Sequence, residues 1–145
     1  MPKIEISTEF CLRVRYAETD QMGFVYYGRF AEYFEVGRVE WIRALGLTYH
    51  ELETKHRIWM PVMSMQVRYL RPARYDQELR IRTSLRALPH QDISFYSEIF
   101  NEKNELLCAA TIKLCFLDSL TGKRVPCPGF LQERISHAIE TAHIQ

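Results

Sequence analysis

The sequence predicts an α+β domain in which an antiparallel sheet of five strands buries one face on a single long helix. Three observations carry that reading: one strong amphipathic repeat from Arg29 to Leu45, period-two alternation in several separate stretches, and runs of strands that follow the helix with no second long helix between them. At 145 residues, 47% apolar and 26% charged, the chain reads as one soluble globular domain, 1–145, able to bury a core without disulfides or metal. A net charge of +1 gives no electrostatic case for nucleic acid.

In chain order, Phe10, Leu12, Val14 and Tyr16 alternate with Cys11, Arg13 and Arg15, the signature of a first strand with one face on a core. The long helix follows, with Phe30, Tyr33/Phe34, Gly37, Trp41 and Ala44/Leu45 on its apolar stripe and Gly46 as its stop. Thr48 and Glu51 form a capping box for a short second helix. A strand spans Ile58 to Leu70, entered irregularly because Pro61 has no N–H for a ladder. Strict alternation from Glu78 to Ala87 gives the third strand, and a turn at Leu88-Pro89-His90 leads to a fourth from Ile93 to Phe100. Asn101-Glu102-Lys103-Asn104 turns the chain into Leu106–Leu117, which is apolar on both sides and therefore central. Pro126 and Pro128 end the sheet, and Leu131, Ile135, Ala138/Ile139 and Ala142 mark one stripe of a short C-terminal helix. No repeat, linker or low-complexity stretch interrupts this order.

The chemistry concentrates in Tyr16-Ala17-Glu18-Thr19-Asp20-Gln21-Met22-Gly23-Phe24-Val25-Tyr26-Tyr27-Gly28, which ends where the long helix begins. No Ser, Thr, Asp or Asn stands directly before the first turn; only Gly28, a weaker cap, is available. The first-turn donors are thus left open to a ligand. A helix N-terminus carries partial positive charge, so a carbonyl oxygen developing negative charge is stabilised there, with Asp20 just upstream.

The run Tyr-x-x-x-Asp-x-x-Gly-x-Val-Tyr-Tyr followed by a long helix resembles the active-site segment of hotdog-fold acyl-CoA thioesterases of the 4-hydroxybenzoyl-CoA thioesterase type. The resemblance continues through Arg68-Tyr69-Leu70-Arg71-Pro72-Ala73-Arg74-Tyr75-Asp76, similar to the segment joining two strands in these enzymes, and covers roughly Phe10 to Pro126. It implies a hotdog fold, an antiparallel five-stranded sheet wrapped around one long central helix, and an acyl-CoA substrate. It also implies Asp20 as the catalytic carboxylate, either general base or nucleophile, and the backbone N–H of Tyr27 as the donor that polarises the thioester carbonyl. Many relatives carry His at the Tyr27 position, so importance falls on the backbone and not on the hydroxyl. Dimers or tetramers with sites at the subunit interface are implied too; an open sheet edge independently calls for pairing across a two-fold axis.

Other residues leave alternatives open. Glu18, two residues from Asp20, points along the same side if the segment is extended, where its charge raises a neighbouring carboxyl's pKa; an exposed surface acid is the other reading. Tyr26 and Tyr27 read as core aromatics. Met60, Met63 and Met65 read as core packing, though soft side chains also suit an acyl pocket. Arg68, Arg71, Arg74, Arg80, Arg82 and Arg86 form either a solvated strand face or, in part, a site for coenzyme A phosphates. Cys11, Cys108, Cys115 and Cys127 form no C-x-x-C pair and the histidines no H-x-x-x-H, so the thiols read as buried and reduced and no cofactor or metal is called for. There is no G-x-S-x-G elbow and no Gly-rich phosphate loop. Neither a signal-peptide core at Met1–Ile6 nor a membrane-length apolar run is visible, which places the protein in the cytoplasm. Two rivals remain: a hotdog-fold hydratase or dehydratase, disfavoured because no His lies between Met1 and Leu47, and a non-catalytic acyl-binding module.

Overall fold

Strands form where apolar residues alternate, and they stop where a side chain or a proline takes the backbone out of the ladder. The computed structural model describes residues 5–144, with side chains through Thr141. Met1–Ile4 and the Ala142 side chain, both used in the sequence reading, lie outside the described residues. Seven strands, not five, make one antiparallel sheet: β1 (Ile6–Arg13), β2 (Ile58–Trp59), β3 (Val62–Tyr69), β4 (Glu78–Leu85), β5 (Asp92–Phe100), β6 (Leu106–Asp118) and β7 (Arg124–Val125). The sheet runs β1-β4-β5-β6, and β6 carries β2 and β3 on its far side and pairs with β7 near its end.

Each departure from the expected pattern has a local cause. Strand β1 starts four residues earlier than the alternation implied and ends at Arg13, because the Arg15 N–H donates to Glu18 Oε1 at 2.7 Å and a 3-10 turn, Tyr16–Glu18, takes over. The stretch Ile58–Leu70 splits into β2 and β3 around Pro61, whose carbonyl accepts from Cys115 N–H at 3.1 Å, and the register slips between Val62 and Ser64. Strand β7 is two residues long and too short to show a period. Strand β6 lies inside the sheet, as its two apolar faces imply.

Helix α1 (Arg29–Ala44) lies over β1, β4 and β5. Gly37 sets its closeness: an added Cβ would stand 2.9 Å from Ile81 Cγ2 and nearer still to Thr83 Oγ1. Trp41 meets Phe95 edge-on, with ring centroids 5.1 Å apart, and donates to Ile6 C=O at 3.1 Å. Phe34, Ile42, Leu79, Ile81, Phe95, Ile112 and Phe116 are fully buried around this contact, each worth about 1.5–3 kcal/mol of transfer free energy. Gly46 ends the helix at φ +84°, a conformation that suits glycine. Helix α2 (Tyr49–Thr54) is capped by Thr48 as expected, through a 3.0 Å bond from Glu51 N–H. Helix α3 (Gly129–Ile144) is not short: it has 16 residues, the same as α1, so α1 is not the one long helix. Arg134 of α3 donates to the Leu45 and Gly46 carbonyls at 3.0 and 3.3 Å, closing the C-terminus of α1.

Candidate active site

The loop after the 3-10 turn is held by Asp20 itself. Its Oδ1 accepts the Met22 and Phe24 N–H groups at 2.9 and 3.1 Å, while its backbone N–H donates to Phe24 C=O at 2.7 Å. Gly23, at φ +85°, makes the reversal possible. Two donors on one oxygen fix the carboxylate's orientation and leave Oδ2 without a hydrogen-bond partner among the described residues.

The chain then enters α1 with its amides accounted for one by one. Val25 N–H donates to Ala73 C=O at 2.8 Å and Tyr26 N–H to Glu18 C=O at 2.9 Å. The N–H groups of Tyr27 and Gly28 have no acceptor among the described residues. Gly28 is already helical, at φ −66° and ψ −21°, and makes no side-chain cap. The peptide carrying the Tyr27 N–H has its other end, the Tyr26 carbonyl, engaged by Arg29 N–H at 2.8 Å. That bond polarises the peptide and aims its N–H out of the helix.

A cavity of about 330 Å³ has both Asp20 and Tyr27 in its wall, together with Met22, Phe24, Val25, Phe30, Tyr69, Leu70, Arg71 and Pro72. Tyr69, from the end of β3, packs edge-on to Phe30 and Tyr27 at centroid distances of 5.7 and 6.4 Å. Sequence reasoning missed Tyr69, Leu70 and Pro72 as lining; they lie about fifty residues downstream and reach the cavity only through the β3–β6 pairing. A larger groove, about 720 Å³, lies between the end of α1 and α3, but its Arg134 is occupied by the α1 carbonyls.

Several expected roles change. Tyr26 and Tyr27 are exposed, not core aromatics. Met63 and Met65 are exposed as well and lie outside the cavity wall, whereas Met60 packs partly against the core. Glu18 is neither extended beside Asp20 nor exposed: it sits in the 3-10 turn at 5% exposure. The arginines divide. Arg71 lines the cavity and pairs with Glu105 at 2.9 Å, and Arg74 lies 4.7 Å above the Phe24 ring. Arg80 and Arg82 pair with Glu9 and Glu5 at 2.9 and 3.6 Å, and Arg86 covers the Tyr96 ring. Of the four thiols only Cys11 is exposed. Burial pushes Cys108 up to about 12 and Cys127 to about 11, so neither is a thiolate nucleophile at neutral pH.

The model of the thioesterase-like superfamily matches residues 14–135. The chain is 34% identical over 100 residues to YneP of Bacillus subtilis (strain 168), covering 69% of this chain and 72% of that one. It is 31% identical over 112 residues to the acyl-CoA thioester hydrolase YbgC of Escherichia coli O6:H1, covering 77% and 83%. Among solved structures, a DHNA-CoA thioesterase from Staphylococcus aureus superimposes with a TM-score of 0.84 at 29% identity, over 95% of this chain and 91% of that one. The shared α+β arrangement is the hotdog fold.

Proposed function

This chain belongs to the thioesterase-like superfamily, and from that premise we propose that it hydrolyses an acyl-CoA thioester to the free acid and coenzyme A, with Asp20 as the catalytic carboxylate and Tyr27 N–H as the donor to the thioester oxygen. One observation carries the reading. A single cavity wall holds an oriented carboxylate with one unengaged oxygen and a backbone N–H with no acceptor, at an uncapped helix start. A carbonyl seated there has its oxygen on the donor, which gains strength as negative charge develops. Asp20 either takes a proton from the attacking water or attacks the carbon itself to form a mixed anhydride that water then opens. In both routes the C–S bond breaks, and the thiolate leaves and takes up a proton as coenzyme A.

The aromatic and aliphatic wall from Phe24, Phe30, Tyr69 and Leu70 suits the acyl portion, and Arg71 and Arg74 are the cations best placed for phosphates. Exposed ion pairs are screened by salt, so the Michaelis constant rises with ionic strength more than turnover falls. The enzyme works as a homodimer or homotetramer. Supporting this, β3 pairs on one edge only and exposes Val62, Met63 and Met65, an apolar edge of the kind that pairs across a two-fold axis. Unpaired thiols support action in the reducing cytoplasm; no described helix is long and apolar enough to cross a membrane.

The decisive experiment assays a panel of acyl-CoA esters with a thiol reagent, using the parent and Asp20→Asn. Asn keeps the size and removes both basicity and nucleophilicity, so turnover of the best ester falls by about 10²–10⁴-fold while binding survives. A folded Asp20→Asn protein with the parent turnover would sink the mechanism.

A further inference from the structure

We propose that Glu18 is the positioning residue that keeps the Asp20 carboxylate and the Tyr27 N–H in register, a role that rests on the thioesterase reading of the site. At 5% exposure it is the most deeply buried carboxylate among the described residues, and a buried charge is retained only where its surroundings hold it. Its surroundings join three elements. Oε1 takes the Arg15 N–H at 2.7 Å and Oε2 lies 3.5 Å from Arg15 Nη2, which fixes the exit from β1. Its own carbonyl takes the N–H of Tyr26, the residue directly before the donor, at 2.9 Å. On the far side stands Tyr33 of α1, 2% exposed, whose hydroxyl makes no well-formed hydrogen bond. Glu18 and Tyr33 line one cavity of about 320 Å³, and burial first, then the charge of Glu18, raise the Tyr33 phenol well above its ordinary range.

Thr19 and Val25 bridge next to Glu18, with Tyr26 N–H donating to Glu18 C=O at 2.9 Å and Asp20 N–H to Phe24 C=O at 2.7 Å, so the loop from Thr19 to Val25 is closed at a neck with Glu18 on one side of it. Asp20 hangs inside the neck and Tyr27 follows directly after it. The Glu18 side chain, seated between the 3-10 turn and α1, decides where the neck lies relative to the helix start. Removing it leaves the Arg15 N–H and the Tyr33 hydroxyl facing a void, and the neck relaxes into that void. A misplacement of about 1 Å between reacting groups costs on the order of 10²-fold in rate without requiring any loss of substrate contact.

The test compares Glu18→Ala, Glu18→Gln and Glu18→Asp with the parent by steady-state kinetics, thermal melting and backbone amide NMR. In Glu18→Ala turnover per folded molecule falls by about 30–100-fold, with the Michaelis constant within about threefold. Glu18→Gln keeps an oxygen for the Arg15 N–H and returns turnover to within about fivefold of the parent. The Tyr27 and Gly28 amide resonances move in Glu18→Ala and stay near the parent positions in Glu18→Gln. If Glu18→Ala does not fold, Glu18→Asp, whose carboxylate is one methylene short of the Arg15 N–H, decides: turnover at least about threefold lower at an unchanged Michaelis constant supports the role, and parental turnover overturns it. A lowered melting point in Glu18→Ala with parental turnover and unmoved amides reduces Glu18 to a structural residue and overturns the proposal. A parent protein inactive on every ester defeats the thioesterase reading instead; moved amides in Glu18→Ala then still uphold the positioning geometry, and unmoved ones end both.

Discussion

Strands β1 and β3 are each eight residues long and each pairs with a single neighbour, yet they end the sheet in opposite ways. Strand β1 packs Ile6 and Leu12 against the core and lines its other face with charge, where Glu9 meets Arg80 at 2.9 Å and Arg13 meets Glu78 at 3.5 Å. Strand β3 carries one exposed charge, Arg68, and no ion pair among the described residues, while Val62, Met63, Met65 and Tyr69 are each more than 40% exposed. Charged side chains along an edge discourage a second chain from adding to it, and an apolar edge invites one. One edge is therefore finished within the chain, and the other is finished by a copy of it on the proposed assembly.

The largest effect expected of that contrast is on assembly. Met65→Lys places a charge where β3 meets its proposed partner, and the dissociation constant rises by at least about 10²-fold, roughly 2.7 kcal/mol. Light scattering should then report the 17.2 kDa protomer where the parent gives a multiple of it. Cys11→Lys, on the exposed face of β1, leaves the mass unchanged; the reverse pattern would exchange the roles assigned to the two edges. Next in size is Gly37→Ala. Its methyl group meets Ile81 and Thr83 under α1, and overpacking of this kind costs about 1–3 kcal/mol, read as a lower melting temperature. An unchanged melting point would show that α1 does not press on β4 as closely as described.

The smallest effect separates the thiols. Cys11 on β1 is exposed, whereas Cys108, paired in register with Tyr69 of β3, is buried. A thiol whose pKa is raised on folding binds more protons in the native state above its unfolded pKa, near 9. Stability is thus full below that pH, and falls as pH rises from about 9 toward 11–12 and Cys108 and Cys127 are forced toward ionisation. Cys127→Ala removes that thiol's share of the alkaline slope. If melting temperature against pH had the same alkaline slope in parent and variant, burial of that thiol would not be its cause.

The same contrast explains what could be read from sequence. Alternation locates β4, turn residues locate β5, a run apolar on both sides locates β6, and glycine and cap residues locate the ends of α1 and α2, because those signals depend on neighbouring residues alone. Alternation also locates β3, but it reads Met63 and Met65 as core packing: periodicity states what a face favours, not what covers it. Strands β2 and β7 are held only by β6 and have no pattern of their own. The true end of β1 depends on a carboxylate, Glu18, capturing the Arg15 N–H, a bond that alternation cannot register. At the site, Asp20 and Tyr27 came from one contiguous motif and stand in one cavity wall, while Tyr69, Leu70 and Pro72 arrive from another part of the chain and were legible only as a connector.

The uncapped start of α1 also sets stability against turnover at one residue. Asp or Ser in place of Gly at a helix start ordinarily stabilises a protein by roughly a few tenths of a kcal/mol, so Gly28 looks like an easy gain for anyone engineering heat resistance. A carboxylate there would neutralise the positive end of the helix beside the cavity and, with a Cβ only 2.9 Å from the Tyr26 ring, would also push that ring aside. On the proposed mechanism the improved helix would carry its own inhibitor, bound at full occupancy for the life of the molecule. The C-terminus of α1, already closed by Arg134, has no such conflict, and stabilising changes belong at that end.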